Sequence, residues 1–383
     1  LLANQKITIL NSIYFNFPGI ITKNKICPTY DALLNQTLDD SFSVSIINEN
    51  GDLISSYNDE VLRMPASNQK LFSTAYVLSK YKLENNLKTT LLKKNQNNYY
   101  LVGQGDPDLN YEDIVILLSN VKENKNINFN ILEIDSKLYW PSGWTNTDKL
   151  YEYGSPITSL AIESNQNKNE NIYTLNKFIE NHLKNKFLSS NININIYDSK
   201  KLFYLKDSME ISKISSNPIL SLLTLANSES HNFTAESLFK NASNTWNDND
   251  YIKLKKWLEN KGLPVTNTYF ADASGLSRNN KITTKLVALF LHKMRYSNDF
   301  KAYQSTLSII GVRGTLAKRF VNSELSGKFF GKTGTLSNVF ALSGFLYKNE
   351  KPIIISIIQN SNNLDKEKAF NLLHDVYYLK SCK

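Results

Sequence analysis

Strand-forming runs stand towards both ends of this 383-residue chain, with mostly helical patterns between them. Residues 41–57, SFSVSIINENGDLISSY, alternate and break at Asn50-Gly51, the dipeptide of a tight hairpin. Near the other end, residues 328–347 (KFFGKTGTLSNVFALSGFLY) and 351–360 (KPIIISIIQN) read as strands, and 365–380 as an amphipathic helix. Helices are predicted at 67–82, 110–122, 174–188 and 283–294, with a longer helical region at 217–246. Further strands are predicted within 99–109, ending in a Gly/Asp/Pro turn, at 130–140, and within 267–277, running into a Gly/Ser loop. Two strands and a helix, then late hairpin strands and a final helix, predict an α+β fold with a mainly antiparallel sheet. No internal repeat is evident. A hydrophobic content of 41% supports a substantial core, enough for one large domain or two smaller ones.

The net charge of +9 suits anionic surroundings such as a wall polymer or anionic lipid, and hence peripheral membrane or wall association. The basic residues are spread along the chain, which argues against a nucleic-acid footprint. No run of 18 apolar residues occurs, so no membrane span is predicted. Residues 1–26 carry only fragments of a signal or anchor pattern, an apolar stretch interrupted by Asn and Lys. No Cys-x-x-Cys, Cys/His cluster or His-Glu-x-x-His pattern exists, so neither metal nor cofactor is expected. The two cysteines, Cys27 and Cys382, read either as unrelated thiols or as one disulfide in an oxidising compartment.

The stretch MPASNQKLFSTAYVL (64–78) places Ser67 and Lys70 three apart where a loop turns into a helix. Three other Ser-x-x-Lys pairs occur, at Ser79/Lys82, Ser119/Lys122 and Ser237/Lys240, so the bare pattern carries little. The setting of the first distinguishes it. Pro65 disfavours helix for the residue before it. Ser67 is then an N-cap or first-turn residue, followed by Leu71, Phe72, Ala75, Val77 and Leu78 at helical spacing. Such a helix holds Ser67 at its positive end and Lys70 one turn along on the same face. Taken alone, the stretch also fits a capping serine beside a solvated lysine.

Downstream come Ser230-His231-Asn232 and Lys332-Thr333-Gly334-Thr335, the latter on a predicted strand. Ser-x-x-Lys, Ser-x-Asn and Lys-Thr-Gly in this order are the motif set of serine β-lactamases and penicillin-binding proteins. Each member has a chemical task. Ser67 must lose its proton to attack a carbonyl carbon, and Lys70 can accept that proton only when neutral. Burial and a neighbouring cation, Lys332, would both depress the Lys70 pKa. Ser230 can pass a proton towards a leaving amine. Asn232 can fix Lys70 and hold a substrate amide. Gly334 leaves the strand edge clear for a substrate strand. Thr333 and Thr335 offer hydroxyls to a terminal carboxylate, and the Ser67 and Thr335 backbone N–H groups would form an oxyanion hole.

With these motifs in place, the chain resembles the S13 family of D-alanyl-D-alanine carboxypeptidases, the class C low-molecular-mass penicillin-binding proteins. PASNQKL resembles the family's nucleophile segment, and GQGDPDL (103–109) the Gly-Asp-Pro turn of its inserted domain. SHNFTAESL is similar to its Ser-Asp-Asn-x-x-Ala-Glu segment, with His231 in place of Asp. DASGLSR (272–278) and GKTGTLSNVFALSGF resemble its Gly/Ser loop and final active-site strand. The resemblance runs from about residue 27 to the C-terminus.

It implies a β-lactamase/transpeptidase-like domain over 27–82 and 166–383, an antiparallel sheet flanked by helices, split by a smaller α/β domain at 83–165. Only the span from Lys70 to Ser230 is available for the insertion, so the second module that relatives often carry is expected to be missing or vestigial. Asp148 is carried forward as a candidate reader of the peptide stem, His231 as pointing away from the cleft, and Cys27–Cys382 as a disulfide. The implied activity is that of a D-Ala-D-Ala carboxypeptidase, with DD-endopeptidase activity open. It would act on peptidoglycan peptides and bind β-lactams outside the bacterial cytoplasm.

A serine β-lactamase would share Ser67, Lys70, Ser230, Asn232 and Lys332, but in the glutamate-assisted kind also needs a carboxylate to activate water. Glu163 and Glu236 are the candidates, in unpersuasive settings. A catalytically silent wall-binding protein is the alternative of a different class. GKFFGKT (327–333) falls one residue short of a phosphate-binding loop and leads into a strand pattern rather than a helix.

Overall fold

The computed structural model describes residues 27–379 apart from 168, 170, 199–204, 247, 249, 250 and 349. The signal or anchor reading of 1–26 and Cys382 of the expected disulfide lie outside the described residues. Cys27 itself is buried and disulfide-bonded rather than a free thiol.

The chain opens with helix α1 (Pro28–Thr37), the hairpin β1 (Phe42–Ile47) and β2 (Leu53–Tyr57), and helix α2 (Gln69–Leu78). It then builds β3 (Asn86–Lys93), β4 (Asn98–Val102), α3 (Tyr111–Leu118), β5 (Asn126–Glu133), α4 (Ile172–Lys186), β6 (Asn191–Asp198) and β7 (Met209–Pro218). Helices α5 (Ile219–Ser228), α6 (Asn232–Ser243), α7 (Ile252–Asn260), α8 (Thr284–Met294) and α9 (Phe300–Ser305) follow. The chain closes with β8 (Ser308–Ile309), β9 (Phe329–Leu336), β10 (Val339–Lys348), β11 (Lys351–Asn360) and α10 (Lys366–Tyr378).

The first sheet runs β2-β1-β11-β10-β9-β8, and every pairing in it is antiparallel. Early and late strands therefore meet, as the α+β expectation required. Both faces of this sheet are covered. Ile354, Ile358, Ala341 and Phe345 pack under α2 and the α5–α8 helices. Ile353, Ile355, Ile357 and Leu342 pack under α1 and α10. Burial on both sides is why residues 352–358 read as a nearly continuous apolar run rather than an alternating one.

The second sheet runs β6-β5-β4-β3-β7, with parallel β4/β5 and β5/β6 pairs and antiparallel pairs on either side of β3. Helices α3 and α4 contribute Ile114, Leu117, Leu175 and Ile179 to its own core. This corrects the expected boundary at 165. Segment 166–218 does not return to the first sheet: β7 pairs with β3 and closes the second sheet, so the inserted unit extends to Pro218. Two further expectations are revised. The predicted helix at 217–246 is broken at Ser230, whose φ is +66°, and 267–277 is a loop held by one bridge, Tyr269–Lys281.

A short repeat also emerges from the second sheet. NINFNILE (126–133) lies parallel to NININIYD (191–198), each residue beside its counterpart. The amides of Asn191, Asn193 and Asn195 donate to those of Asn126, Asn128 and Asn130 at 3.2–3.4 Å. Part of the chain's asparagine content thus has a structural use as a cross-strand amide ladder.

The two-faced burial of the first sheet is testable. Ile355→Ala should cost about 2–4 kcal/mol in urea unfolding, as expected for a closed core site. Ile196→Ala, on the half-open edge strand β6, should stay within about 0.5 kcal/mol.

Candidate active site

The segment leading into α2 is fixed before any chemistry is considered. Asn360, at the end of β11, accepts from the Met64 N–H at 2.8 Å and donates to the Met64 carbonyl at 3.1 Å. Ala66 has φ +45°, and residues Ala66–Asn68 form a 3₁₀ turn into α2. Two glycines clamp this turn. A Cβ on Gly275 would collide with the Ala66 carbonyl oxygen. A Cβ on Gly334 would sit 2.8 Å from the Ser67 nitrogen and 3.0 Å from the Pro65 oxygen. Gly334 is therefore needed for the close approach of β9 to Ser67, a reason different from the expected clear strand edge. The edge is nonetheless open among the described residues: β8 covers only Phe330 and Gly331, leaving Lys332–Leu336 unpaired on that side.

Ser67 does not cap α2. The helix N-cap is Asn68, which makes no side-chain capping bond, and the Ser67 hydroxyl accepts instead from Lys70 Nζ at 3.0 Å. Lys70 is fully buried, and its Nζ also donates to Asn232 Oδ1 and to the Ser274 carbonyl, both at 2.7 Å. Burial drives its pKa down to about 7, while the charges of Asp272 and Glu236 pull the other way. Lys332 is the neighbouring cation, and the two lysine charges repel one another. Lys332, also fully buried, is held well below the usual lysine range, first by burial and then by the Lys70 charge. Lys332 Nζ donates to the Thr333 carbonyl at 2.9 Å.

A cleft of about 1070 Å³ brings Ser67, Ser230, Asn232, Thr333, Thr335 and Asp148 to one surface. Lys70 and Lys332 lie buried rather than on its lining. Among the described residues no hydrogen bond joins the Ser230 hydroxyl to Ser67 or Lys70; what places it in the cleft is the left-handed backbone between α5 and α6. Asn232 opens α6 and spans two parts of the site, accepting from Lys70 and donating to the Tyr153 carbonyl at 2.9 Å. His231 is outside the cleft lining. Its Nδ1 caps α6 by accepting from the Thr234 N–H and meets the Thr234 hydroxyl at 2.7 Å, and its Nε2 faces Gln166. Burial and the Lys70 charge lower its pKa to about 4, so the imidazole is neutral.

The 134–166 loop of the inserted unit supplies one wall. Trp144 Nε1 donates to Asp272 at 2.9 Å, and Trp144, Ile157, Phe233 and Leu276 form a small core beneath it. Asp148 stands here, but not as a free carboxylate. It accepts from the Thr145 N–H and hydroxyl and from both terminal nitrogens of Arg278. What faces the cleft is thus an ion pair. Sequence reading missed Arg278, the Tyr153 and Ser274 carbonyls, and Thr315, whose hydroxyl accepts from Thr333 at 2.7 Å. Backbone carbonyls carry no residue-type signal, so only the folded chain could show them.

Comparison with known proteins agrees with this architecture. The model of the D-Ala-D-Ala carboxypeptidase 3 (S13) family matches residues 31–177 and 168–376. The D-alanyl-D-alanine carboxypeptidase DacB of Haemophilus influenzae is 28% identical over 167 residues, 41% of this chain and 35% of that protein. The D-alanyl-D-alanine carboxypeptidase of Actinomadura sp. R39 is 30% identical over 145 residues, 35% of this chain and 27% of that protein. The matched stretches thus span about a third or less of these curated relatives. The crystal structure of penicillin-binding protein 4 from Haemophilus influenzae superposes with a TM-score of 0.74 at 21% identity, over 90% of this chain and 98% of that one. A predatory peptidoglycan endopeptidase from Bdellovibrio bacteriovorus gives 0.59 at 15% identity, over 87% and 90% of the two chains. The family model covers most of the described residues, including the clamped serine turn, the buried lysines and the cleft wall, and the chain belongs to the D-Ala-D-Ala carboxypeptidase 3 (S13) family.

Proposed function

We propose that this protein is a serine-type D-Ala-D-Ala carboxypeptidase that acts on peptidoglycan stem peptides outside the cytoplasm and is acylated by β-lactams. The observation that carries the reading is the buried Lys70, whose lowered pKa and 3.0 Å contact with Ser67 place a base with a large neutral fraction beside the nucleophile at neutral pH. Ser67 Oγ attacks the carbonyl carbon of the penultimate residue, and its proton passes to Lys70. The oxyanion is met by the Ser67 and Thr335 N–H groups. The C–N bond breaks, and Ser230 carries a proton to the departing D-Ala amine. Water then hydrolyses the Ser67 ester and restores the enzyme.

Other residues take positioning roles. Asn232 orients Lys70 and offers its amide towards the substrate backbone. The unpaired edge of β9 at Lys332–Leu336 suits an extended peptide laid alongside it. Thr333 and Thr335, on the cleft lining, offer hydroxyls to a terminal carboxylate, with Lys332 buried beside them. Asp148 and Arg278 together present both charges to the stem side chain, so the pair rather than Asp148 alone would do the reading. No group in this scheme is a metal or cofactor, and among the described residues no His/Cys/Asp/Glu cluster could hold a metal ion. No described helix is long and apolar enough to cross a membrane.

A glutamate-assisted β-lactamase is disfavoured by where the glutamates stand. Glu163 is exposed on the inserted unit, and Glu236 is buried with its oxygens turned to Ala273, Ser274 and Tyr251. Neither lines the cleft. The intact Lys70–Ser67 hydrogen bond disfavours a silent binding protein.

Two measurements check the proposal. Incubation with benzylpenicillin should add one acyl group to the wild-type protein by intact mass, and none to Ser67→Ala. Loss of free penicillin without an adduct would instead indicate a lactamase, and persistence of both protein and penicillin a binding protein. A peptide ending in D-Ala-D-Ala should release D-Ala, with release falling by at least about 10³-fold in Ser67→Ala. Equal release by the variant would remove Ser67 from the nucleophile's role.

A further inference from the structure

Behind Lys70 lies a buried polar layer that the proposed reaction does not itself touch. Glu236, on α6, is fully buried. Its Oε1 accepts from the Ala273 N–H at 3.0 Å and the Ser274 N–H at 2.8 Å, and its Oε2 accepts from the Tyr251 hydroxyl at 2.8 Å. The peptide thus pinned carries, on Ser274, the carbonyl oxygen that takes one Lys70 N–H at 2.7 Å. The loop's other support is Asp272, which accepts from the Gly275 and Ser277 N–H groups, from Asn280 and from Trp144. One connected set of bonds therefore runs from Tyr251 through Glu236 and the 273–274 backbone to Lys70 and Ser67.

We infer that Glu236 is a positioning residue for acylation, holding the Ser274 carbonyl against Lys70 and biasing the lysine's charge from behind the cleft. The inference rests on the acyl-enzyme reading above and goes beyond it, because Glu236 touches neither substrate nor Ser67. Geometry and charge act together here. All three contacts to the carboxylate come from donors, so its charged form is the one the site is built to hold. Against that, burial and the nearby Asp272 charge push its pKa up to about 7. The charged and titratable groups around it are Lys70 from α2, Lys240 one turn along α6, Tyr251 and Asp248 ahead of α7, and Asp272 from the loop. The Glu236 charge raises the Lys70 pKa. Protonating Glu236 or removing its charge must then lower the Lys70 pKa, so that the base becomes neutral at lower pH.

The isosteric Glu236→Gln keeps an acceptor for the two N–H groups and removes the charge. In rapid-quench acylation by benzylpenicillin, its rising pH limb should lie about one pH unit below that of the wild type. Tyr251→Phe keeps the carboxylate but removes a donor that favours its charge, and should move the limb the same way by less. Glu236→Ala removes the acceptor as well, and acylation should fall about 10²-fold at every pH, the size expected of a misplaced base. ¹⁵N NMR of lysine-labelled protein should report the same downward displacement of the Lys70 Nζ titration without any acylation. A folded Glu236→Gln with an unmoved limb and an unmoved Lys70 titration would overturn the inference. A uniform fall in rate with no displacement would do so too, reducing Glu236 to scaffolding. Absence of any adduct on the wild type would sink the acyl-enzyme reading instead, and the NMR titration would still decide the role of Glu236.

Discussion

The site depends on a lysine ammonium group kept out of water. Lys70 Nζ has three acceptors, Ser67 Oγ, Asn232 Oδ1 and the Ser274 carbonyl, which come from three separate segments of the chain. Burying such a group unpaired would cost several kcal/mol, so each acceptor is a condition of the fold as well as of the chemistry. None of the three is a carboxylate. The arrangement tolerates a neutral amine, and that tolerance is what brings the pKa to about 7. Asp272 and Glu236 stand one layer further back, close enough to moderate the shift and not to form an ion pair with Lys70.

Glycines and the inserted unit make this convergence sterically feasible. Gly275 and Gly334 let a loop and a strand close on the Ser67 turn from two sides, where any side chain would meet backbone atoms. The inserted unit then binds Asn232 through Tyr153, Arg278 through Asp148 and Asp272 through Trp144. A unit with its own sheet and core therefore contributes to the cleft wall through one loop, while its strands stay clear of the cleft. His231 fits the same scheme: in place of the family's aspartate it caps α6 as a neutral imidazole, which leaves the cleft side of the turn to Ser230 and Asn232.

Much of this was legible in the sequence because strands and helices that pack on a sheet announce themselves by periodicity. The hairpin at Asn50-Gly51, helix α8 and the late strands appear where their patterns place them. Ser67, Ser230, Asn232, Thr333 and Thr335 do share one cleft, with Lys70 and Lys332 buried beside it. The extent of the insertion was not legible, because the sequence does not say which sheet a strand joins, and β7 joins β3 across more than a hundred residues. The NINFNILE/NININIYD match was present in the letters and became meaningful only as a parallel pair. Asp148 was found, but its neutralisation by Arg278 was not, since an ion pair between residues 130 apart has no local signature. Glu236 was noticed as a possible water-activating group and turns out to face the other way.

In the proposed reaction Lys70 is the base and works as a neutral amine. The most direct test is the acylation rate constant of the wild-type protein, measured by rapid-quench intact mass across pH 5 to 10. A lysine depressed to about 7 is protonated and idle below that pH and neutral above it, so the rate should rise with pH and reach half its plateau near 7. A rate independent of pH across this range, or a limb near the ordinary lysine value of about 10.4, would contradict it.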